Sequence, residues 1–323
     1  MKSFLNFFCK ATTTTSMACV ASCVNGVTST DARIAFYTFD SVITDTMGVY
    51  HLNGSSTPIY APGWINSAIS FNASNQQWLT TFNMPISTRT FTIDFWFYAF
   101  VVTASWDIPF AGQCYSGAAG TCFFLSIYYE QAYMGFTNSD VSSSTKIQAN
   151  IWYHIAFAFD NSTRQGFVYI NGIEVGQVIL PLYLTAPVVP FTIGGARIYG
   201  RGPGLTYYSG YIDHLTISSR LKTPCEIYLN ANLHCYFKFD SPSSLIDSGP
   251  NFLIANQIGT TTTIPGYVNQ ALRFSSSPSY VSISQVTPLQ SIYDTFTISM
   301  WIKPTTIIGG ATIIHTSTQS NGL

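Results

Sequence analysis

"WYHIAFAFDNSTRQGFVYINGIEV", residues 152–175, decides the fold. Tyr153, Ile155, Phe157 and Phe159 fall on one face of its first half and Trp152, His154, Ala156 and Ala158 on the other, the two-residue period of a strand. Both faces are largely apolar, which places the strand inside a sheet. "GFVYINGIEV" then reads as a hairpin, because Asn171-Gly172 suits the positive φ required at both centres of a tight turn. The Trp152/His154 pair admits two readings, the start of an active site or one well-packed strand.

Similar short strands are expected at 34–39, 67–72, 76–82, 90–100, 121–129, 132–137, 165–171 and 208–218. Many antiparallel strands around a large aromatic core give an all-β sandwich or jelly roll. Composition agrees, with 15% aromatic and only 8% charged residues in a 323-residue chain, long enough for about two domains. Thr223, Pro224 and Glu226 fit an N-cap, a first-turn proline and a capping-box glutamate, so one short helix is expected near 224–230.

The chain repeats itself. "YTFDSVITDTMG" (37–48) matches "FKFDSPSSLIDSG" (237–249), "PGWINSAISF" (62–71) matches "PGYVNQALRF" (265–274), and "TFTIDFWFYA" (90–99) matches "TFTISMWIKP" (295–304). Asp40 to Asp240, Gly63 to Gly266 and Trp96 to Trp301 are offsets of 200, 203 and 205, so three landmarks recur in order. The expected organisation is a low-complexity arm or damaged signal segment at 1–32, a complete module at 33–231, and the N-terminal half of a second module at 232–323. That half supplies only front strands, so 234–323 is expected to be unstable alone and the chain to be a fragment.

The ordered set "YTFD", "GWINSAISF", "FTIDFWFYA", "WYHIAFAFD", "VYINGIEV", "FTIGG", "YSGYIDHLTISSR" and "TPCEI" resembles the laminin-G-like, concanavalin A-like jelly-roll module. The resemblance covers 33–230, and the first half of the pattern again from 233 to 323. It implies an extracellular recognition module, or the ectodomain of a membrane protein, that binds carbohydrate or protein without catalysis. It also implies a calcium ion held at one rim by Asp side chains, with Asp40, Asp45 and Asp213 as candidates by type. An Asx-turn or backbone-capping role is the other reading of these residues, and the favoured one.

Composition and motifs narrow the alternatives. A net charge of −1 with 13 basic residues offers no field for nucleic acid. The most apolar long window, 175–195, is broken by Pro181, Pro187 and Pro190, which argues against a membrane span. Glucanases of this fold place two carboxylates on one face of a strand. Here Glu130 and Glu174 stand alone and Asp40/Asp45 are five apart. No GxSxG elbow or marked nucleophile partners His154, so a structural His is the favoured reading and no enzyme activity is expected.

The ligand-binding candidates are Tyr199, Arg201 and Tyr207 in the Gly-rich loop "GARIYGRGPGLTYYSG" (195–210), whose aromatics could stack on sugars or instead fold back on the core. Two alternatives stand beside recognition: a structural or adhesive spacer repeat, and a divergent glycoside hydrolase. Of the seven cysteines, Cys114/Cys122 and Cys225/Cys235 read as local disulfides in an oxidising compartment, or else as four thiols. Sequons at Asn53, Asn72 and Asn161 permit secretion without arguing for it.

Overall fold

The computed structural model describes residues 32–185, 188–199, 204–284, 297–305 and 312–315. The chain forms two compact units. The first runs to Tyr236 and takes in Ser248–Phe252; the second comprises Phe237–Asp247 and the residues from Leu253 onwards. The expected N-terminal arm, apart from Ala32, lies outside the described residues.

The first unit begins with β1 (Arg33–Tyr37), β2 (Asn53–Gly54), β3 (Ile59–Pro62), β4 (Ser67–Phe71), β5 (Leu79–Thr81) and β6 (Phe91–Ala99). Then come β7 (Ile108–Cys114), β8 (Cys122–Tyr128), β9 (Gln131–Phe136), β10 (Ser139–Ser142), β11 (Trp152–Asp160) and β12 (Gln165–Ile170). It closes with β13 (Ile173–Ile179), β14 (Phe191–Ile193), β15 (Gly195–Arg197), β16 (Leu205–Tyr207), β17 (Gly210–Ser218) and the helix α1 (Pro224–Asn232).

Two antiparallel sheets carry the fold. One has the order β13-β12-β11-β6-β17-β4-β3 with β1 added against β17; the other has the order β10-β9-β8-β7-β14-β5-β2. Alternation along each strand sends Phe91, Ile93, Phe95 and Phe97 of β6 and Ile155, Phe157 and Phe159 of β11 into the shared core. Phe110 packs against both Phe95 and Phe97, at 5.1 and 4.7 Å between ring centroids. Asn171 (φ 51°) and Gly172 (φ 82°) form the tight turn between β12 and β13, with Ile170 opposite Ile173.

The outer face of the first sheet explains the helix. Ala156 and Ala158 are small enough to let α1 approach, and Ile227 packs with them and Tyr169. Thr223 accepts from the Glu226 N–H while Glu226 accepts from the Thr223 N–H, a complete capping box followed by the expected proline. Among the described residues no helix is long and apolar enough to cross a membrane.

Cys114 and Cys122 form a disulfide. The expected Cys225–Cys235 bridge is corrected: Cys225 is disulfide-bonded, but Cys235 is not its partner. The helix is the reason. At a rise of 1.5 Å per residue, α1 carries the chain about 10 Å from Cys225 by Asn232, and only three residues remain to Cys235.

The second unit contains β18 (Ala255–Ile258), β19 (Thr261–Pro265), β20 (Gln270–Phe274) and β21 (Tyr280–Ile283), paired as β18 with β21 and β19 with β20. Its internal geometry matches the first unit's at the repeated landmarks. Tyr37 and Phe39 stack at 5.8 Å, and Phe237 and Phe239 at 6.1 Å. Phe39 and Phe239 both adopt positive φ, 57° and 59°. Asp40 Oδ1 accepts from the Ser67 N–H at 3.2 Å and Asp240 Oδ1 from the Gln270 N–H at 3.0 Å. Trp64 stacks on Trp96 at 4.0 Å, and Tyr267 on Trp301 at 4.2 Å.

Candidate functional site

The rim where β7 turns into β8 collects several loops. The disulfide pins both ends of loop 114–122. Within it, Gly117 lets the Tyr199 ring approach, since a Cβ there would stand 3.2 Å from it, and Tyr199 Oη donates to the Tyr115 carbonyl at 3.3 Å. Thr185 N–H donates to the Gly120 carbonyl at 2.9 Å, drawing the 182–185 segment onto the same loop. Tyr115 is 70% exposed at this rim.

Of the three expected ligand-binding residues, Tyr199 and Tyr207 are half-buried and Arg201 lies outside the described residues. Their loop folds back, as β15 and β16 form a hairpin that covers the outer face of the second sheet. Ala196 and Ile198 are buried there against Phe124. Gly112 makes this approach feasible, because a Cβ on it would meet Ala196 Cβ at 2.7 Å. Tyr207 lies across from Gly195 in the hairpin. Tyr115 was not singled out in the sequence, although its place within the Cys114–Cys122 loop was the available signal.

A glucanase of this fold would need two carboxylates on one face of a strand. The seven strands of the second sheet hold one acidic residue, Asp140 on the edge strand β10. Asp107, just before β7, is fully buried with Oδ1 accepting from Ser126 Oγ at 2.6 Å, and Thr206 of the hairpin donates to its carbonyl at 2.8 Å.

The outer face of the first sheet holds the Trp152/His154 pair. Trp152, Tyr98 and Tyr211 are direct neighbours across β11, β6 and β17, and Tyr98 lies 5.6 Å from Trp152 and 5.5 Å from Tyr211 between ring centroids. One rung further on, His154 is 2% exposed, packs on Trp96, and sets Nε2 3.6 Å from Asp94 Oδ1. Asp94 also accepts from Lys222 Nζ at 2.5 Å and Asn230 Nδ2 at 3.0 Å. Burial opposes its charge, but Lys222 and then His154 outweigh that and hold the carboxyl well below the usual range. The cavity lined by Asp94, His154, His214 and Asn230 is about 20 Å³, close to the size of a water molecule and too small for a substrate. His154 is scaffold.

His214 stands at φ 49°, where the β17–β6 register shifts between Asp213 and Thr216. This bulge directs Asp213 and His214 to neighbouring positions, with Nδ1 2.8 Å from Asp213 Oδ1. Burial works against charge on the ring, yet the Asp213 carboxylate, supported by Asp40, raises the His214 pKa above 6.5. A raised His contributes stability that is complete below its unfolded value and lost as pH rises through its folded one. Denaturant unfolding from pH 5 to 9 is therefore expected to weaken on its alkaline side, and His214→Gln to flatten that limb. An unchanged slope in the variant would assign the titration to another group.

The calcium candidates Asp40, Asp45 and Asp213 all accept backbone N–H groups. Asp45 accepts four backbone N–H groups: Phe36 and Met47 on Oδ1, both at 2.9 Å, and Val49 and Tyr50 on Oδ2 at 3.1 and 2.9 Å. Asp213 Oδ2 accepts from the Ile65 N–H at 2.9 Å. Among the described residues no three of His, Cys, Asp and Glu are grouped to hold a metal ion.

A family model described as the concanavalin A-like lectin/glucanases superfamily matches residues 72–228. The first unit has a concanavalin A-like jelly-roll fold. The binding domain of a paraclostridial mosquitocidal protein shares this fold at 15% identity and a TM-score of 0.52, covering 79% of this chain and 64% of its own. Domain 4 of an extracellular arabinanase from Geobacillus stearothermophilus, solved in complex with arabinotriose, is 21% identical with a TM-score of 0.48, covering 61% of this chain and 96% of that one. At these identities the likeness is one of fold. No curated protein matches the chain.

Proposed function

We propose that the jelly roll of residues 33–231 is a non-catalytic extracellular recognition module, and that it binds carbohydrate through the rim where loop 114–122 meets Tyr199. The observation that carries this reading is Tyr115, an exposed aromatic on a loop pinned at both ends by the disulfide and held by Tyr199. A rigid aromatic gives up little entropy on binding, and its ring face suits the C–H face of a sugar. The disulfide supports an oxidising compartment. The family description joins lectins with glucanases, and the single carboxylate among the strands of the second sheet favours the lectin side.

A glycan-array screen of the full chain, run with calcium and again in EDTA, tests the reading. Saturable binding to one sugar class is expected, weakened at least about tenfold by Tyr115→Ala, the scale of a hot-spot residue. Binding unchanged by Tyr115→Ala and Tyr199→Ala would remove the rim from the account. Loss of binding in EDTA would bring back a metal-dependent site.

The second reading is a structural or adhesive repeat. The matched stacks, positive-φ phenylalanines and Asp-capped amides of the two units favour it, and on them we read 232–323 as a second copy of the module's first strands. A folded protein silent on the array in both conditions, yet retaining adhesion to an extracellular protein, would support this reading over carbohydrate recognition.

A further inference from the structure

In the first unit, β4 is paired on both sides. β3 lies on one edge, and β17 lies on the other with Gly210 opposite Phe71, Tyr211 opposite Ser70 and Ile212 opposite Ile69. The pairing ends in a specific cap: Asp213 Oδ2 accepts the Ile65 N–H at 2.9 Å inside the Gly63–Asn66 turn. Gly63 is needed there, since a Cβ would stand 2.7 Å from that same carboxylate oxygen.

The second unit holds the same hairpin, and among the described residues its outer edge has no partner strand. β19 and β20 pair with Pro265 opposite Gln270, as Pro62 is opposite Ser67. The turns match as well. Gly266 N–H donates to the Asn269 carbonyl at 2.9 Å and Gly63 N–H to that of Asn66 at 3.0 Å, while Asn269 and Asn66 have φ of 50° and 53°. Among the described residues no strand pairs with the other edge of β20. Burial follows this difference. Ile65 and Phe71 are 1% and 2% exposed, whereas Val268 and Phe274, the residues at their positions, are 61% and 48% exposed.

We propose that the open edge of β20 is an acceptor for an added β-strand of the β17 type, apolar on one face and carrying an aspartate that caps the Val268 N–H in the Gly266–Asn269 turn. The inference rests on reading 232–323 as a second copy of the module. An unpaired edge beside exposed apolar side chains is a template for strand addition, with backbone bonds providing affinity and side-chain pockets specificity. Here the specificity element is the carboxylate. The turn keeps its geometry and its glycine, so an incoming Asp meets an N–H already oriented. The occupant is thus an extended segment with the pattern of Gly210–Ser218, entering antiparallel to Leu272–Phe274.

The experiment is amide hydrogen exchange on the full chain with a synthetic peptide of residues 207–220, YYSGYIDHLTISSR, against a scrambled peptide. Slow exchange within 261–274 before any addition is expected from the hairpin. The peptide should then slow the Val268 amide and amides within 272–274 at least tenfold, and the Asp213→Asn peptide should lose the effect at Val268 first. A protected hairpin that ignores the peptide would overturn the acceptor and leave the duplication standing. A hairpin exchanging at random-coil rates would overturn both.

Discussion

Replacing Lys222 with alanine is expected to cost about 3–5 kcal/mol, the usual penalty for stripping one partner from a buried ion pair. The Asp94 carboxylate is buried beneath α1, with Lys222 Nζ, Asn230 Nδ2 and His154 Nε2 around it. Removing the ammonium leaves a buried charge that only Asn230 and His154 still offset. For a unit of this size the melting temperature should fall by about 10 °C or more. The double variant Asp94→Leu/Lys222→Met should recover most of the loss, because an apolar pair of similar volume carries no desolvation penalty.

The pH dependence supplies a second check. Asp94 has a depressed folded pKa, so its contribution is present above the unfolded value of 3.8 and is lost as pH falls through the folded one. The gap between wild type and Lys222→Ala should therefore narrow in acid, where the variant's carboxyl protonates. A gap independent of pH would mean that Lys222 acts by packing its stem alone. Since Lys222 and Asn230 join the segment around α1 to the sheet, the variant should also expose Tyr169 and Ile227 to faster exchange.

The features legible in the sequence are those governed by neighbours along the chain. Alternation in 152–159 placed Phe157 and His154 on opposite faces, and the smallness of Ala156 and Ala158 on the His154 side is what admits the helix. Asn171-Gly172 and Thr223-Pro224-x-Glu226 have local chemistry that tertiary structure had no cause to override. Contacts across large separations were not legible. Lys222 meets Asp94 from 128 residues away, and neither residue carries a spacing that marks it. An Asp inside the apolar run "FTIDFWF" was the only available sign that a buried cation must exist.

The Gly-rich stretch 195–210 shows what composition alone leaves open. Its aromatics and arginines admitted both an exposed loop and one folded back on the core, and Ala196 and Ile198, buried against Phe124, set β15 and β16 back on the sheet, while Tyr115 is an exposed ring at that rim. Cys225 and Cys235 were paired by sequence proximity, but most of the stretch between them is helix, which leads the chain away from Cys225, and Cys235 is not its partner. The left-handed backbone of His214 had no sequence mark either, because the bulge that requires it is defined by the register of β17 against β6.

Asp45→Ala is expected to be the most damaging change among the residues named as calcium candidates. Its carboxylate offers about four lone-pair sites, and four backbone N–H groups of the 36–50 region take them. Bonds to an ionised acceptor contribute about 1.5–3 kcal/mol each and are not additive, so a loss of at least about 3 kcal/mol follows. Asp45→Asn keeps one oxygen and presents donors where the other accepted, so it should fall between the variant and wild type. Burial opposes the charge on Asp45, but the four N–H groups win and lower its pKa, which makes its contribution present above 3.8 and lost as pH falls through the folded value. Melting curves recorded in calcium and in EDTA decide the residue's role. A carboxylate already saturated by backbone should give the same drop in both, whereas a drop confined to calcium would require the N–H groups to release it to a metal.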